Sequence, residues 1–481
     1  MIEKLPELVN ADERLVWRPE MSPPVAWKIE KGRLNPTSHR AHQGFGIPKK
    51  PPKKETWADG GEEIMKETTG FRRSLGFKGL ISIFALAALV LGGTGTGFAA
   101  EKEIKVGIDV GLTGGTSAYG KRAWNTYQMI FDEINAAGGI KSMGGAKIKA
   151  MLLDHQSKPD IAGSNAEKLI RDGAAIVMGT NSSDCTMVAS QVCQRAKIPF
   201  ISSSDLDTMI VERGFDYVFR TCPGAYEFAE AALQFSQWAG KKAGKTPQKV
   251  AIVVVQTASG MALLKMWENM LPKVYTVVYK ESYPQAQQDF TGMVSKMKGL
   301  GVEFVFQQAF PSDAVLVTRS YKEMGFNPMG FIGTDAGHDI IMYRENLGKD
   351  ADYTFCTTQW SSTLKVPKLK ETMAKYQARF GIEYQVTDAT VGNAASVLID
   401  ALERGGSDNP VKLRDALKAT DINVGQYWYF VPDGCKFDAK NQNVKQKPVT
   451  TQFFAGKDEC VFPEGYASAK AVFPIPPWEK R

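Results

Sequence analysis

From residue 104 onward the chain alternates short apolar, β-branched runs with segments of helical spacing, and midway the alternation starts again. The first block predicts strands at Ile104–Val110, Lys147–Leu153, Ala175–Met178, Pro199–Ser202 and Tyr217–Arg220. Helices at Ala123–Ala137, Ala162–Arg171 and Asp184–Ala196 lie between them. The second block opens with a helix at Tyr226–Ala239. It continues with strands at Val250–Val255, Tyr275–Lys280, Phe304–Gln307 and Gly330–Ile332, separated by helices at Ala262–Leu271, Phe290–Lys298 and Asp313–Met324. Three helices near 367–380, 388–403 and 410–418 follow, then strands near 426–431 and 448–455 and a Pro-rich tail. Alternation of this kind builds parallel sheets covered by helices on both faces. Two blocks predict two doubly wound lobes of α/β class. Such sheets bind ligands beyond the carboxyl ends of their strands, so the loops that follow strands are the ones to inspect.

The chain has 481 residues, 43% hydrophobic and 23% charged, an ordinary globular balance with ample length for a core. The formal charge is +7, but residues 101–481 carry only +3, which leaves no electrostatic footprint for nucleic acid. Four histidines occur, at 39, 42, 155 and 338, too few in the folded part for a multi-His metal site or a His-based triad. No Gly-x-Ser-x-Gly elbow and no His-Glu-x-x-His occurs, so neither an enzyme nor a cofactor is expected. His155 and His338 read as ordinary surface or loop histidines.

Residues 1–100 read differently. Lys66, Arg72, Arg73 and Lys78 precede twelve uncharged residues, Leu80–Leu91, and then a small-residue stretch to Ala100. This is the layout of a secretory signal peptide, and twelve helical residues rise only about 18 Å, too little for a bilayer of about 30 Å. Gly97 and Ala99 suit a cut after Ala99. The Gly93-Thr-Gly-Thr-Gly97 run mimics a nucleotide loop, but it leads into a strand where that motif needs a helix. Residues 1–64 are Pro- and Lys-rich without periodicity and read as a disordered extension, with translation expected to start at Met65. All six cysteines, at 185, 193, 222, 356, 435 and 460, lie in the exported part, where disulfides are permitted. Cys435 and Cys460 flank a predicted strand pair and are the expected bridge. Cys185 and Cys193 on one helix lie about 12 Å apart and cannot bond.

Five loops follow strands. Leu112–Gly120 is Gly-rich but is no Walker loop. In Gly179–Thr186, Ser182 or Ser183 can cap the next helix or bind a carboxylate there. Ile201–Leu206 offers three serines. In Phe306–Pro311, Phe310 can wall an apolar pocket, and in Gly333–Asp339, Asp335 can pair with an ammonium.

These loops, in this order, resemble the type I periplasmic solute-binding proteins, most nearly the branched-chain amino-acid (Leu/Ile/Val) binding proteins of ABC importers. The resemblance is carried by Ile104-Lys-Val-Gly-Ile-Asp-Val-Gly-Leu-Thr-Gly-Gly, Ile134-Asn-Ala-Ala-Gly-Gly-Ile140, the Gly179–Thr186 loop, Ile198-Pro-Phe-Ile-Ser-Ser203, Val218-Phe-Arg-Thr221 and Phe331-Ile-Gly-Thr-Asp335. It covers about 104–465. It implies two lobes joined by a three-segment hinge with crossovers near 222, 357 and 447. The N-terminal lobe is then 101–222 with 358–446, and the C-terminal lobe 223–357 with 447–481. Residues 65–100 form the signal peptide. By position the resemblance assigns the ligand carboxylate to Ser183, or to Ser182 one residue away, and a further contact to Ser204. It assigns the ammonium to Asp335 and aromatic walls to Tyr119 and Phe310. Leu206 and Ser259-Gly260 depart from the family pattern, which often has Thr and Tyr-Gly there. The expected function is capture of a branched-chain or other hydrophobic amino acid, or a related carboxylate, by a monomer in the periplasm for the permease subunits of an ABC importer. The alternative is a binding protein that senses aromatic carboxylates or amides with a regulator in trans.

Overall fold

A computed structural model describes residues 102–481. The extension, the signal peptide and the cut at Ala99 lie outside the described residues. The first block folds as β1 (Glu103–Val110), α1 (Ser117–Ala136), β2 (Lys147–Asp154), α2 (Pro159–Arg171), β3 (Ile176–Thr180), α3 (Ser183–Ala196), β4 (Phe200–Ser202), α4 (Met209–Glu212) and β5 (Val218–Arg220). The second comprises α5 (Ala225–Ala243), β6 (Lys249–Val255), α6 (Ala258–Met270), β7 (Thr276–Tyr283), α7 (Thr291–Leu300), β8 (Phe304–Gln308), α8 (Pro311–Glu323), β9 (Gly330–Thr334), α9 (Ile341–Leu347) and β10 (Phe355–Thr358). Then come α10 (Leu369–Phe380), α11 (Val386–Gly405), α12 (Pro410–Lys418), a short ribbon of β11 (Asp421–Ile422) and β12 (Cys435–Lys436), and the hairpin β13 (Val449–Phe454) and β14 (Lys457–Phe462).

The first sheet is all parallel, in the order β2-β1-β3-β4-β5. Its interior strand β1 is buried along nearly its whole length because helices cover both faces. One face packs against α1 and the returning helices α10–α12, and the other against α2 and α3. The second sheet runs β14-β13-β10-β9-β8-β6-β7. It is parallel from β10 to β7, and the antiparallel hairpin β13–β14 extends it beyond β10. The Pro-rich tail closes this second core: Trp478 lies against Phe331 and its indole N–H donates to Phe326 O at 2.8 Å.

The returning helices are fixed by a buried ion pair. Arg122 on α1 meets Asp388 on α11 at 2.8 Å and also donates to Glu383 O at 2.9 and 2.8 Å. Thr126 Oγ1 and Gln385 N–H complete the shell around the Asp388 carboxylate. Burial holds this carboxyl above its ordinary range even though Arg122 pulls it down, so desolvation outweighs the pair's attraction. Asn409 caps α12 through bonds from Val411 N–H and Lys412 N–H, with Pro410 in the first turn.

The chain passes between the two sheets at three places, and these passages are bonded to one another. Arg220 N–H donates to Asn441 O and Asn443 N–H to Arg220 O, both at 3.0 Å. Gln442 Nε2 donates to Cys222 O and Asn443 Nδ2 to Thr221 O, both at 2.9 Å. Gln446 Nε2 reaches Gln359 Oε1 at 3.1 Å and ties in the remaining passage.

Three expectations are corrected. Residues 426–431 do not form a strand. Tyr427 sits at φ 51°, and the N–H groups of Trp428 and Phe430 go to Ser396 Oγ and Asn393 Oδ1 on α11 instead of a ladder. Their apolar side chains serve the helix core, which explains the misleading run. His155 and His338 are fully buried rather than at the surface. The expected Cys435–Cys460 bridge is absent: all six cysteines are free and buried. Cys435 lies in the β11–β12 ribbon against the first core, whereas Cys460 lies on β14 at the edge of the second sheet.

This packing makes two predictions. Arg122→Met leaves Asp388 buried and unpaired and lowers unfolding stability by about 3–5 kcal/mol in urea denaturation, and adding Asp388→Leu recovers part of that loss. Thiol titration of the denatured, non-reduced protein gives six thiols per chain, and four would restore a bridge.

Candidate functional site

The carboxyl ends of both sheets border one narrow cavity, with about 40 Å³ of free space. From the first sheet's side come Tyr119 in the first turn of α1, Asn181 to Asp184 at the start of α3, and Ser204 and Leu206 after β4. From the second come Ser259 at the start of α6, Gln308 at the end of β8 and Phe310 after it, and Asp335, Ala336 and Asp339 after β9. Val386 and Thr387 at the start of α11 complete the wall. All six residues singled out from sequence therefore line this cavity: Tyr119, Ser182, Ser183, Ser204, Phe310 and Asp335.

The first-sheet side offers N–H donors. Ser182 occupies the N-cap position of α3 but makes no side-chain cap bond. The first-turn N–H groups of α3, which no intrahelical carbonyl reaches, border the cavity at Ser183 and Asp184. At the end of β3, Gly179 has φ 132°, and a Cβ there would stand 2.0 Å from Asp109 O on β1, so only glycine fits this strand end. Ser183 Oγ accepts Asp207 N–H at 3.3 Å, which joins α3 to the loop after β4. That loop is held from behind. Asp205 accepts Ser202 Oγ at 2.6 Å and Thr186 Oγ1 at 2.8 Å, and burial pushes its carboxyl up to about 6. Arg220 Nη1 donates to Asp207 O at 2.7 Å and Leu206 O at 3.2 Å, and its Nε to Gln442 Oε1 at 2.5 Å. The hinge and the cavity wall thus share one guanidinium.

The second-sheet side offers acceptors. Asp335 is 7% exposed, sits at φ 51°, and donates its N–H to Thr357 O at 2.8 Å. Burial pushes its carboxyl up to about 7, against a bond from Gln359 that lowers it. Asp339 accepts Thr358 Oγ1 at 2.9 Å through Oδ2, while Oδ1 is buried without a partner. Burial and the neighbouring Asp335 raise the Asp339 carboxyl as well. The Tyr119 hydroxyl is buried and unpartnered, and its proton is held by burial and by these two carboxylates. Gln308 Oε1 and Asn181 Oδ1 are also buried and unpartnered. Behind β9, His338 Nε2 lies 2.5 Å from Gln307 Nε2, and burial drops its pKa to about 3, so the ring is neutral. The two sides touch directly where the Asp184 carboxylate accepts Ala258 N–H at 3.3 Å, binding the start of α3 to the start of α6.

Sequence reasoning passes over Asp339 and Gln308, although both lie in loops that it singles out. Asp339 is brought back toward the cavity by a single 3-10 turn, Ala336–His338. Val386 and Thr387 carry no such signal, because they arrive on a helix that follows a crossover rather than on a loop after a strand.

The family model of the periplasmic binding proteins matches residues 103–453. Leu/Ile/Val-binding protein homolog 8 of Brucella abortus (strain 2308) is 28% identical over 387 residues, which cover 78% of this chain and 94% of that protein. Among solved structures, the branched-chain amino acid transporter substrate binding protein LivJ from Streptococcus pneumoniae, in complex with isoleucine, is 22% identical. Its TM-score is 0.66, over 78% of this chain and all of that one. A solute binding protein of an ABC transporter from Rhodopseudomonas palustris BisB5, in complex with 3,4-dihydroxy benzoic acid, is 20% identical. Its TM-score is 0.65, over 79% and 99% of the two chains. These two likenesses support the type I fold of two α/β lobes described above, and the match along most of the folded chain decides the family: this chain is a periplasmic binding protein.

Proposed function

We propose that the protein captures a small amine-bearing solute, an amino acid of branched-chain or other hydrophobic kind or a close relative, between its two lobes. It then delivers that solute to the permease subunits of an ABC importer. The polarity of the cavity carries this reading. The start of α3 on the first-sheet side and the Asp335 carboxyl on the second-sheet side both line the cavity, together with Tyr119, Leu206, Phe310 and Val386. A zwitterion fits that arrangement with its carboxylate on α3, its ammonium on Asp335 and its apolar part on the aromatic walls. Ser182, Ser183 and Ser204 act as the hydroxyl contacts of the head group. Export through the Leu80–Leu91 signal peptide, with a cut after Ala99, puts the mature monomer in the periplasm. The similar proteins named above, described as Leu/Ile/Val-binding or as parts of ABC transporters, support the same role.

Tyr119 and Phe310 also suit an aromatic acid, and one similar structure holds one. Among the described residues, however, no Lys, Arg or His borders the cavity to answer an uncompensated negative charge, while three carboxylates do. That balance favours the amine.

Three outcomes are expected. In a thermal-shift screen, an amino acid supplied at 100 times its Kd stabilises the protein by roughly 2.7 kcal/mol. Asp335→Ala weakens amine-bearing ligands by about 2–5 kcal/mol in calorimetry and leaves non-amine acids little changed; equal losses for both would remove Asp335 from the ammonium. The third concerns pH. Only the ionised Asp335 pairs with an ammonium, and its carboxyl titrates near 7 in the folded, ligand-free protein. Below pH 7 the ligand must displace a proton, so Kd rises by about tenfold per pH unit from 7 to 5, with a plateau above 7. Asp339, Asp205, Tyr119 and Gln359 surround the titrating group, and Asp335→Asn flattens the profile.

A further inference from the structure

Asp335 is held in backbone space that its residue type rarely enters. Its φ is 51° and its ψ -170°, and Ala336 follows at φ 58°. Two successive residues at positive φ, neither of them glycine, persist only where the surroundings fix them. The fixing contacts lie on both sides of β9, which runs between β8 and β10. On the β10 side, Asp335 N–H donates to Thr357 O at 2.8 Å, and Thr358 Oγ1 to Asp339 Oδ2 at 2.9 Å. On the β8 side, Gly337 N–H donates to Ala309 O at 2.9 Å, and His338 Nε2 meets Gln307 Nε2 at 2.5 Å. The loop is stapled to the ends of both neighbouring strands.

The bonds behind His338 fix its chemistry. Tyr321 O–H on α8 donates to Gln307 Oε1 at 2.6 Å, so the N–H end of the Gln307 amide is the one turned to His338. His338 Nε2 then accepts, which places the imidazole proton on Nδ1. All three side chains are buried. The backbone leaves the ring just enough room: a Cβ on Gly333 would stand 2.1 Å from His338 Cγ, and one on Gly337 would stand 2.6 Å from Phe310 O. Tyr321, Gln307 and His338 do not border the cavity, yet Asp335, Ala336 and Asp339, which do, belong to the loop that these bonds locate.

Resting on the amine-capture reading above, we infer that His338 is a positioning residue for ligand recognition. Through Gln307 and Tyr321 it ties the Asp335 loop to the end of β8. Without the acceptor, a Gln307 N–H is left buried and unpaired, and the loop is freed to leave its strained backbone. The strand end stays where the second core holds it, so the loop is what moves. Asp335 loses its fixed place in the wall, and amine-bearing solutes lose affinity that non-amine acids keep.

Three variants test this. His338→Leu puts an apolar chain of similar size against Gly333 and removes the acceptor. His338→Gln sets a carboxamide oxygen about where Nε2 stands and restores it. Tyr321→Phe breaks the bond to Gln307 away from the cavity. Binding is measured by calorimetry with leucine, isoleucine, valine and phenylalanine, and by competition with the matching acids that lack the amine, such as isocaproate for leucine. His338→Leu weakens the amino acids about tenfold or more and the non-amine acids less than about threefold, a difference that general damage to the lobe does not produce. His338→Gln stays within about threefold of the wild type, and Tyr321→Phe falls between the two. In an Asp335→Asn background, His338→Leu costs the amino acids almost nothing further, because the carboxylate it positions is gone. Hydrogen exchange gives a readout without ligand: in His338→Leu the amides of Asp335 and Gly337 lose protection, while those of β8 and β9 keep theirs. Equal losses for both ligand classes, additive losses in the double variant, a His338→Gln loss as large as that of His338→Leu, or unchanged protection at Asp335 and Gly337 overturns the inference and leaves the amine-capture reading standing. Failure of all four amino acids to bind the wild type overturns that reading and the inference with it.

Discussion

Arg220 is the group on which the two-lobed arrangement depends. It is 3% exposed at the first crossing between the sheets, and its guanidinium is spent on four partners: the carbonyls of Asp205, Leu206 and Asp207 and the side chain of Gln442. A buried guanidinium without enough acceptors is costly, so the chain must bring those groups to it. Doing so draws the third crossing beside the first and positions the loop that walls the cavity. The mutual bonds among residues 220–222, 441–443, 359 and 446 then make one joint from three separate chain segments. Lobe motion about such a joint moves rigid bodies, because each lobe is sealed by its own apolar core.

The cavity is a product of that geometry and of a division of labour between lobes. Helix starts are natural donors of N–H, and the first lobe turns the start of α3 toward the cavity. The second lobe contributes carboxylates and amide oxygens from loops after β8 and β9. Separated, both surfaces are wetted and their preferences are weak. Brought together, they lose water, and the attraction between a buried carboxylate and an ammonium grows as the effective dielectric falls. The elevated carboxyls of Asp335 and Asp339 are the mark of that desolvation in the molecule without ligand.

Much of this is legible in the sequence, for identifiable reasons. β1 and β6 announce themselves as apolar runs because both faces of a central parallel strand are buried. Asp335, Phe310, Ser183 and Tyr119 follow from the rule that ligands sit beyond strand ends, together with a family pattern. β10 escapes notice because four residues with two threonines carry no periodicity, and β14 because it begins with Lys-Asp-Glu. Residues 426–431 mislead because an apolar run reports burial, not the destination of its backbone hydrogen bonds. The cysteines mislead because proximity to strands in sequence says nothing about which sheet each strand joins. His155 reads as exposed, yet its ring is spent inside, with Nε2 3.0 Å from Thr180 O and Nδ1 accepting Ser157 N–H.

The contact between Asp184 and Ala258 N–H has a kinetic meaning. It joins the lobes without passing through the hinge or through a ligand. Opening must break it, yet an encounter between solute and open cleft comes before it forms. Such a clasp lengthens the residence of whatever is enclosed and leaves the rate of capture to diffusion. Release of an enclosed solute requires α3 and α6 to part, after which the remaining contacts are those of the solute alone.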